Sequence, residues 1–249
     1  MSRVFGLVGQ HLGHSFSKNY FEQKFSREFL SNCSYTNFEL PDIGRIQTVF
    51  ELTGLCGLNV TIPYKEEVIP YLDELDPAAA EIGAVNTICL KSDGKKIGYN
   101  TDYIGFLKSL QQFGRSFESS NALILGTGGA SKAVVYALKQ IGASVQLVSR
   151  ERGPKILSYK DIDQSLIQSV DLIINTTPLG MFPQMDNYPD IPYHFLTRHQ
   201  HLYDLIYNPK SSKFLNFGKK QDCPTMNGQL MLEIQAEEAW KIWNEHLVK

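Results

Sequence analysis

Short, nearly continuous apolar runs alternate along this chain with stretches whose apolar residues recur every three or four positions. The first kind reads as buried strand and the second as amphipathic helix, which predicts an α/β chain. A strand runs from Val4 to Gly9, and Tyr20, Phe21, Phe25, Phe29 and Leu30 follow at helical spacing. Residues 35–40 and 56–62 read as further strands, with a moderate helix over 43–52 between them. Pro63 suits the first turn of a helix, which would put Lys65 at or near a helix N-terminus. Residues 73–81 read as loop and short helix, and the strand over 84–90 is turned by Ser92-Asp-Gly94 into 96–100. Strands alternating with helices thus make a first α/β unit, complete before residue 100, and a helix through Leu110 follows at the crossing to the second unit. The second half repeats the theme, with strands at 122–125, 144–150, 171–175 and 202–207. Helices are expected over 130–138, 159–167 (weakly), 211–220 and, long and amphipathic, 230–248.

The turn after the strand at 122–125 carries the most chemistry. It reads Gly126-Thr-Gly-Gly-Ala130, with Ser131 where the dinucleotide fingerprint G-x-G-x-x-G has its third glycine. Gly126 turns without a Cβ clash, and Gly128 lets the backbone approach a pyrophosphate facing the first helical N–H groups. The alternative is a strand-to-helix turn with glycines for geometry alone. An NAD enzyme places an acid at the end of the next strand to hold the ribose 2′-hydroxyl. Here the chain has Ser149-Arg-Glu-Arg152, and Arg150 is either an ordinary surface charge or the partner of an NADP 2′-phosphate. That chemistry favours NADP, while Glu151 beside it leaves NAD as the alternative. Thr176, in the polar loop after the strand at 171–175, would lie beside the dinucleotide.

In the first half, the loop after Gly9 presents Ser15 and Ser17, which either cap the next helix or point together at a polyol or carboxylate. His11 and His14 lack the Asp, Glu or Cys companions of a metal site, so no metal is expected. Lys65 at a helix N-terminus would oppose the helix dipole, which marks it as a functional candidate. Asn86, polar in an apolar strand, is either a satisfied core amide or a ligand contact. Asp102 is either a helix cap or a cleft residue at the crossing between the two units.

Composition narrows the class. The chain has 249 residues, 43% apolar and 20% charged, with a formal net charge of −2. There is no basic excess for nucleic acid, no long apolar run and no secretory leader, so a cytoplasmic globular protein acting on a small molecule is expected. The four cysteines, Cys33, Cys56, Cys89 and Cys223, are scattered and read as reduced thiols.

Eight segments in order resemble the shikimate dehydrogenase family over the whole chain. They are Gly9 with His14-Ser-Phe-Ser17, Asn59-Val-Thr-Ile-Pro-Tyr-Lys65, Gly83-Ala-Val-Asn-Thr87, Asn100-Thr-Asp102, Gly126-Thr-Gly-Gly-Ala130, Asn175-Thr-Thr-Pro-Leu-Gly-Met181, Asp204-Leu-Ile-Tyr-Asn-Pro209 and Met231 to Gln235. The resemblance implies two domains with a cleft between them. One is a discontinuous α/β substrate-binding domain (1–100, completed by 229–249), the other a Rossmann NADP-binding domain (101–228). It implies NADP-dependent, reversible reduction of 3-dehydroshikimate to shikimate in aromatic amino-acid biosynthesis, by a monomer or homodimer. Lys65 and Asp102 would be the catalytic pair, with Lys65 either an acid/base or an electrostatic clamp. Ser15, Ser17, Thr61, Asn86, Asp102, Tyr207 and Gln235 would hold substrate. Gly126, Thr127, Gly128, Gly129, Ala130, Arg150, Thr176, Leu205 and Gly228 would meet the cofactor. The chain departs from the family pattern at Lys18 (commonly proline), Ser149 and Glu151 (commonly Asn and Thr) and Leu230 (commonly glycine). Two other readings remain: an NAD-preferring quinate/shikimate dehydrogenase, and a non-catalytic NADP-binding regulator. A folate- or glutamate-type dehydrogenase lacks support from the Ser15/Ser17 loop.

Overall fold

The computed structural model describes residues 2–13 and 16–245 and divides into two compact units, 1–101 with 235–249, and 102–234. In the first, β1 (Arg3–Gly9), α1 (Phe16–Arg27), β2 (Cys33–Glu39), α2 (Ile46–Phe50), β3 (Leu55–Val60), β4 (Glu74–Leu75), α3 (Pro77–Ile82), β5 (Thr87–Leu90) and β6 (Lys96–Tyr99) follow one another. They build one sheet in the order β2-β1-β3-β5-β6-β4. β1 runs parallel to β2 and β3, whereas β5 is antiparallel to both β3 and β6. The sheet is therefore mixed rather than a plain alternation of strand and helix, because Gly94 (φ +88°) closes a tight β5–β6 hairpin.

The second unit holds α4 (Asp102–Leu110), β7 (Asn121–Leu125), α5 (Gly129–Gln140), β8 (Ser144–Ser149), β9 (Ile156–Ser158), α6 (Gln164–Ser169), β10 (Leu172–Asn175), β11 (His201–Asp204), α7 (Lys213–Lys219) and β12 (Thr225–Met226). Helix α8 (Gln229–Glu245) begins in this unit, and from Gln235 onward it belongs to the first. The sequence reading ended the second domain at residue 228, whereas the compact units part inside α8. The second sheet is wholly parallel, ordered β9-β8-β7-β10-β11-β12. With β7 as first strand this is the doubly wound order 3-2-1-4-5-6, whose switch point lies between β7 and β10.

Period-two alternation sorts each sheet into two cores. In the first unit Phe5 and Leu7 join Phe21, Phe25 and Trp243 of α1 and α8, while Val8, Leu58, Val60 and Ile88 meet α2 and α3. In the second, Ile124 and Ile174 pack on α4 and α5, and Leu123, Leu125 and Ile173 on α6 and α7. Among the described residues no helix is long and apolar enough to cross a membrane.

Two expected helices differ. α1 stops at Arg27, because Leu30 N–H bonds Phe25 O around Phe29, which adopts φ +56° and is 92% exposed. That six-to-one closure ends a helix. After β3 no α-helix forms around Lys65; residues 62–68 are turns. Tyr64 N–H bonds Thr61 O and Ile69 N–H bonds Glu66 O, three residues back, with one four-residue bond from Val68 to Tyr64. The three-residue bonds run on into a 3-10 helix at Ile69–Tyr71, which takes Pro70 in its first turn, and so short a segment does not offset the nucleation cost of an α-helix.

Candidate active site

In the first unit the ends of β3 and β6 and the start of β5 bring polar residues together inside the fold. Asn59, Asn86, Thr87, Asn100, Thr101 and Gln235 are all buried. Asn100 donates to Ala84 O (2.9 Å), and the other five bond to one another, as burial requires. Asn59 Nδ2 donates to Thr87 Oγ1 (3.2 Å), and Thr87 Oγ1 donates to Asn86 Oδ1 (3.1 Å). Asn86 Oδ1 also accepts the Thr101 backbone N–H at 2.7 Å, which fixes its amide orientation. Asn86 Nδ2 then donates to Thr101 Oγ1 (3.0 Å) and to Gln235 Oε1 (3.3 Å). Asn86 is thus a satisfied buried amide held against Gln235. Thr61 and Lys65 lie half-buried in the turn after β3. Thr61 N–H bonds Val8 O of β1, and the backbone ties Lys65 to this cluster, since Lys65 O accepts Val85 N–H at 2.7 Å, one residue before Asn86. Ser17 is buried in the first turn of α1. Ser15 lies outside the described residues. Asp102 opens α4, is 6% exposed, and sits where the helix dipole favours a carboxylate.

In the second unit Gly126 ends β7 with φ +114°, and a Cβ there would lie 2.6 Å from Thr176 Oγ1. No other residue fits that turn. Thr176 donates through both N–H and Oγ1 to Leu125 O (2.9 and 2.7 Å), so the ends of β7 and β10 meet at the switch point. Ser131, in the third fingerprint position, is buried and donates to Gly126 O at 2.8 Å, closing the turn from inside. Gly128 caps α5 without a side-chain bond, and a Cβ on it would meet nothing within 4 Å. The first N–H groups of α5, running on from Gly129 and Ala130, are therefore uncovered, the arrangement that accepts a pyrophosphate. Thr127 and Arg150 are exposed at the ends of β7 and β8. Arg150 acts electrostatically on Tyr159, whose phenol burial pushes upward, while Arg152 is paired with Asp161. These residues fit a dinucleotide carrying a 2′-phosphate.

Leu205 and Gly228 are brought together, since a Cβ on Gly228 would lie 2.0 Å from Leu205 O. Asp204, fully buried at the end of β11, organises this corner. It accepts from Asn175 Nδ2 (3.0 Å), Ile206 N–H (3.1 Å) and the Ser212 hydroxyl. Burial nonetheless pushes its carboxyl up to about 6, the three donors opposing that rise. Tyr207 follows, half-buried, with its phenol raised by burial.

Residues 7–88 match the shikimate dehydrogenase substrate binding domain. Over 255 residues the chain is 36% identical to shikimate dehydrogenase (NADP(+)) of Caldicellulosiruptor saccharolyticus, covering 95% of this chain and 90% of that protein. The chain belongs to the shikimate dehydrogenase family. Its fold is similar to the chorismate mutase/shikimate 5-dehydrogenase fusion protein of Clostridium acetobutylicum, at TM-score 0.90 and 35% identity, covering 98% of this chain and 92% of that one. It is also similar to the Thermus thermophilus shikimate 5-dehydrogenase solved with NADP(H) and shikimate. There the TM-score is 0.84 and identity 28%, over 98% of this chain and 94% of that chain.

Within this family member, the structure gathers Asn86 and Gln235 directly and joins to them Tyr35, Asn59 and Thr87, residues the sequence reading left without a role. Tyr35 reads in sequence as an aromatic strand residue, and Asn59 and Thr87 as parts of motifs. The signal that could have found the last two is the same one that marked Asn86, an amide or hydroxyl inside an apolar strand.

Proposed function

We propose that this shikimate dehydrogenase family member catalyses the reversible, NADP-dependent reduction of 3-dehydroshikimate to shikimate. The observation that carries this reading is the buried run of amides and hydroxyls from Asn59 to Gln235, in the same unit as Lys65. Such a run recognises a small ring bearing hydroxyls by exchanging hydrogen bonds that an apolar ligand could not supply. The parallel sheet with its uncovered α5 N-terminus supports the NADP assignment.

When bound, NADPH supplies the hydride that reaches the substrate's C3 carbon. Negative charge then builds on the C3 oxygen. The Lys65 ammonium neutralises it and delivers the proton that completes the new hydroxyl. Asp102 accepts a hydrogen bond from a substrate hydroxyl. Ser15, Ser17, Thr61, Asn86, Tyr207 and Gln235 bind the carboxylate and the remaining hydroxyls, fixing the ring for transfer. Gly126, Thr127, Gly128, Gly129 and Ala130 receive the pyrophosphate, Arg150 the 2′-phosphate, and Thr176, Leu205 and Gly228 flank the nicotinamide half. The substrate-binding domain comprises 1–100 with 229–249 and the NADP domain 101–228, in a cytoplasmic enzyme.

The test is absorbance at the nicotinamide band with purified protein and shikimate or quinate, each with NADP and NAD. Reduction of NADP by shikimate well above the other three pairs is expected. A faster rate with NAD or quinate would replace the cofactor or substrate assignment, and silence with all four would leave a binding protein.

A further inference from the structure

We infer that Asn175 is a positioning residue for the nicotinamide half of NADP, acting through the loop that follows it; the inference rests on the cofactor assignment proposed above. Asn175 is the last residue of β10 and is fully buried. It stands in register between Leu125 of β7 and Asp204 of β11, at the switch point where a doubly wound sheet takes its ligand.

The amide is turned inward and fully used. An amide side chain offers two donor hydrogens and an oxygen with two lone pairs. Asn175 Oδ1 accepts Thr177 N–H at 3.0 Å and the Thr177 hydroxyl at 2.6 Å. Two donors fix the oxygen on that side, so the amide nitrogen faces the other way. It donates to Asp204 Oδ1 at 3.0 Å and to Leu179 O at 3.3 Å. Thr177 Oγ1 in turn accepts Leu179 N–H at 3.3 Å. Residues 175–179 are thus wound around one side chain, which leaves it no capacity for a ligand. Aspartate lacks the two donor hydrogens, and glutamine carries its amide one methylene too far.

The same residue sets the neighbours assigned to the cofactor. Its backbone O accepts Leu205 N–H at 3.0 Å, and Thr176 is the first residue of the loop it holds. The β7–α5 turn keeps a closure of its own, Ser131 Oγ to Gly126 O. Loss of the Asn175 bonds therefore falls on the nicotinamide half and spares the pyrophosphate turn and Arg150.

The probe that separates the halves is 2′,5′-ADP, which has the adenosine and the 2′-phosphate but no nicotinamide. Thr177→Val keeps the side-chain shape and removes the hydroxyl that joins Asn175 Oδ1 to Leu179 N–H. By calorimetry it should raise Kd for NADP about five- to tenfold and leave Kd for 2′,5′-ADP within about twofold, the scale of one or two neutral hydrogen bonds. Thr177→Ser retains the hydroxyl and should stay within about twofold of wild type for both. Asn175→Asp loses both donor hydrogens and should weaken NADP selectively, by at least as much as Thr177→Val. KM for shikimate should stay within about twofold throughout, as for independent sites. Unchanged Kd for NADP in both Thr177→Val and Asn175→Asp overturns the inference. Equal weakening of NADP and 2′,5′-ADP, as general loosening gives, or a loss in Thr177→Ser matching Thr177→Val, overturns it too. Wild type that binds NADP without turning over shikimate removes the proposed reaction alone, and the Kd comparison still decides this inference. Wild type that binds no NADP removes both.

Discussion

The indole of Trp243 lies against Gly57, so closely that a Cβ on Gly57 would stand 2.2 Å from Trp243 Nε1. Trp243 is fully buried and its Nε1–H donates to Ile88 O at 2.9 Å, so the ring has no room to withdraw. It also stacks on Phe5 at 4.8 Å. Gly57→Ala should therefore force the ring out of place and destabilise the protein by about 2–3 kcal/mol, the cost of overpacking a tight core. Thermal melts should show a drop of roughly 4–12 °C for a chain of this size. An unchanged melting temperature would mean that the helix end carrying Trp243 moves easily.

Lys65→Met keeps the length and apolar stem of the side chain and removes its charge. Loss of a group that meets developing negative charge costs about two to three orders of magnitude in kcat. Shikimate binding measured by calorimetry should weaken far less. A variant that turned over at the wild-type rate would remove Lys65 from the mechanism.

Arg150→Ala should raise KM for NADP about tenfold or more and leave KM for NAD nearly unchanged, as expected for losing a charge-assisted bond to the 2′-phosphate. Arg152 should not substitute, because its guanidinium is held by Asp161, which also accepts from Ser158 N–H and Oγ. Equal effects on both cofactors would assign Arg150 a structural role instead.

The parts of this fold that were legible in the sequence are those governed by local chemistry. The run at 122–125 with its glycines specified the β7–α5 turn, because φ +114° at Gly126 admits little else. Asn86 stood out because an amide in an apolar strand demands partners. What those partners are was not legible: Thr101 and Gln235 lie 15 and 149 residues away and meet Asn86 only through the sheet and α8. Tyr35 carried no signal, since a strand aromatic reads as core whatever its hydroxyl does. The setting of Lys65 reads in sequence as a helix start because Pro63 suits a first turn, whereas the chain there makes turns that lead only into the 3-10 helix Ile69–Tyr71. Short β9 and β12 depend on neighbours to pair with and leave little trace in periodicity.

Asp204 gives a pH dependence with a definite sign. Its folded-state carboxyl titrates at about 6, above the range of an unfolded aspartate. Between pH 4 and 6 the folded protein thus holds a proton that the unfolded chain has lost. Stability from this group is present at low pH and declines as pH rises through that window, by up to about 3 kcal/mol. Asp204→Asn abolishes the titration, so the variant should gain on wild type between pH 4.5 and pH 7 in paired thermal melts. A difference in melting temperature that is the same at both pH values would contradict the raised carboxyl.

Helix α8 changes owner along its length: it starts in the second unit and ends by placing Ala236, Ala239 and Trp243 in the aromatic core of the first. Order of synthesis and order of completion are therefore reversed. The unit whose strands come first in the chain lacks part of its core until α8 is made, while the other unit has all its strands by Met226. A nascent chain stopped short of α8 carries one finished sheet and one whose α1 side is still exposed, with Phe5, Phe21 and Phe25 open to water. Premature termination ahead of α8 would thus damage the half made first.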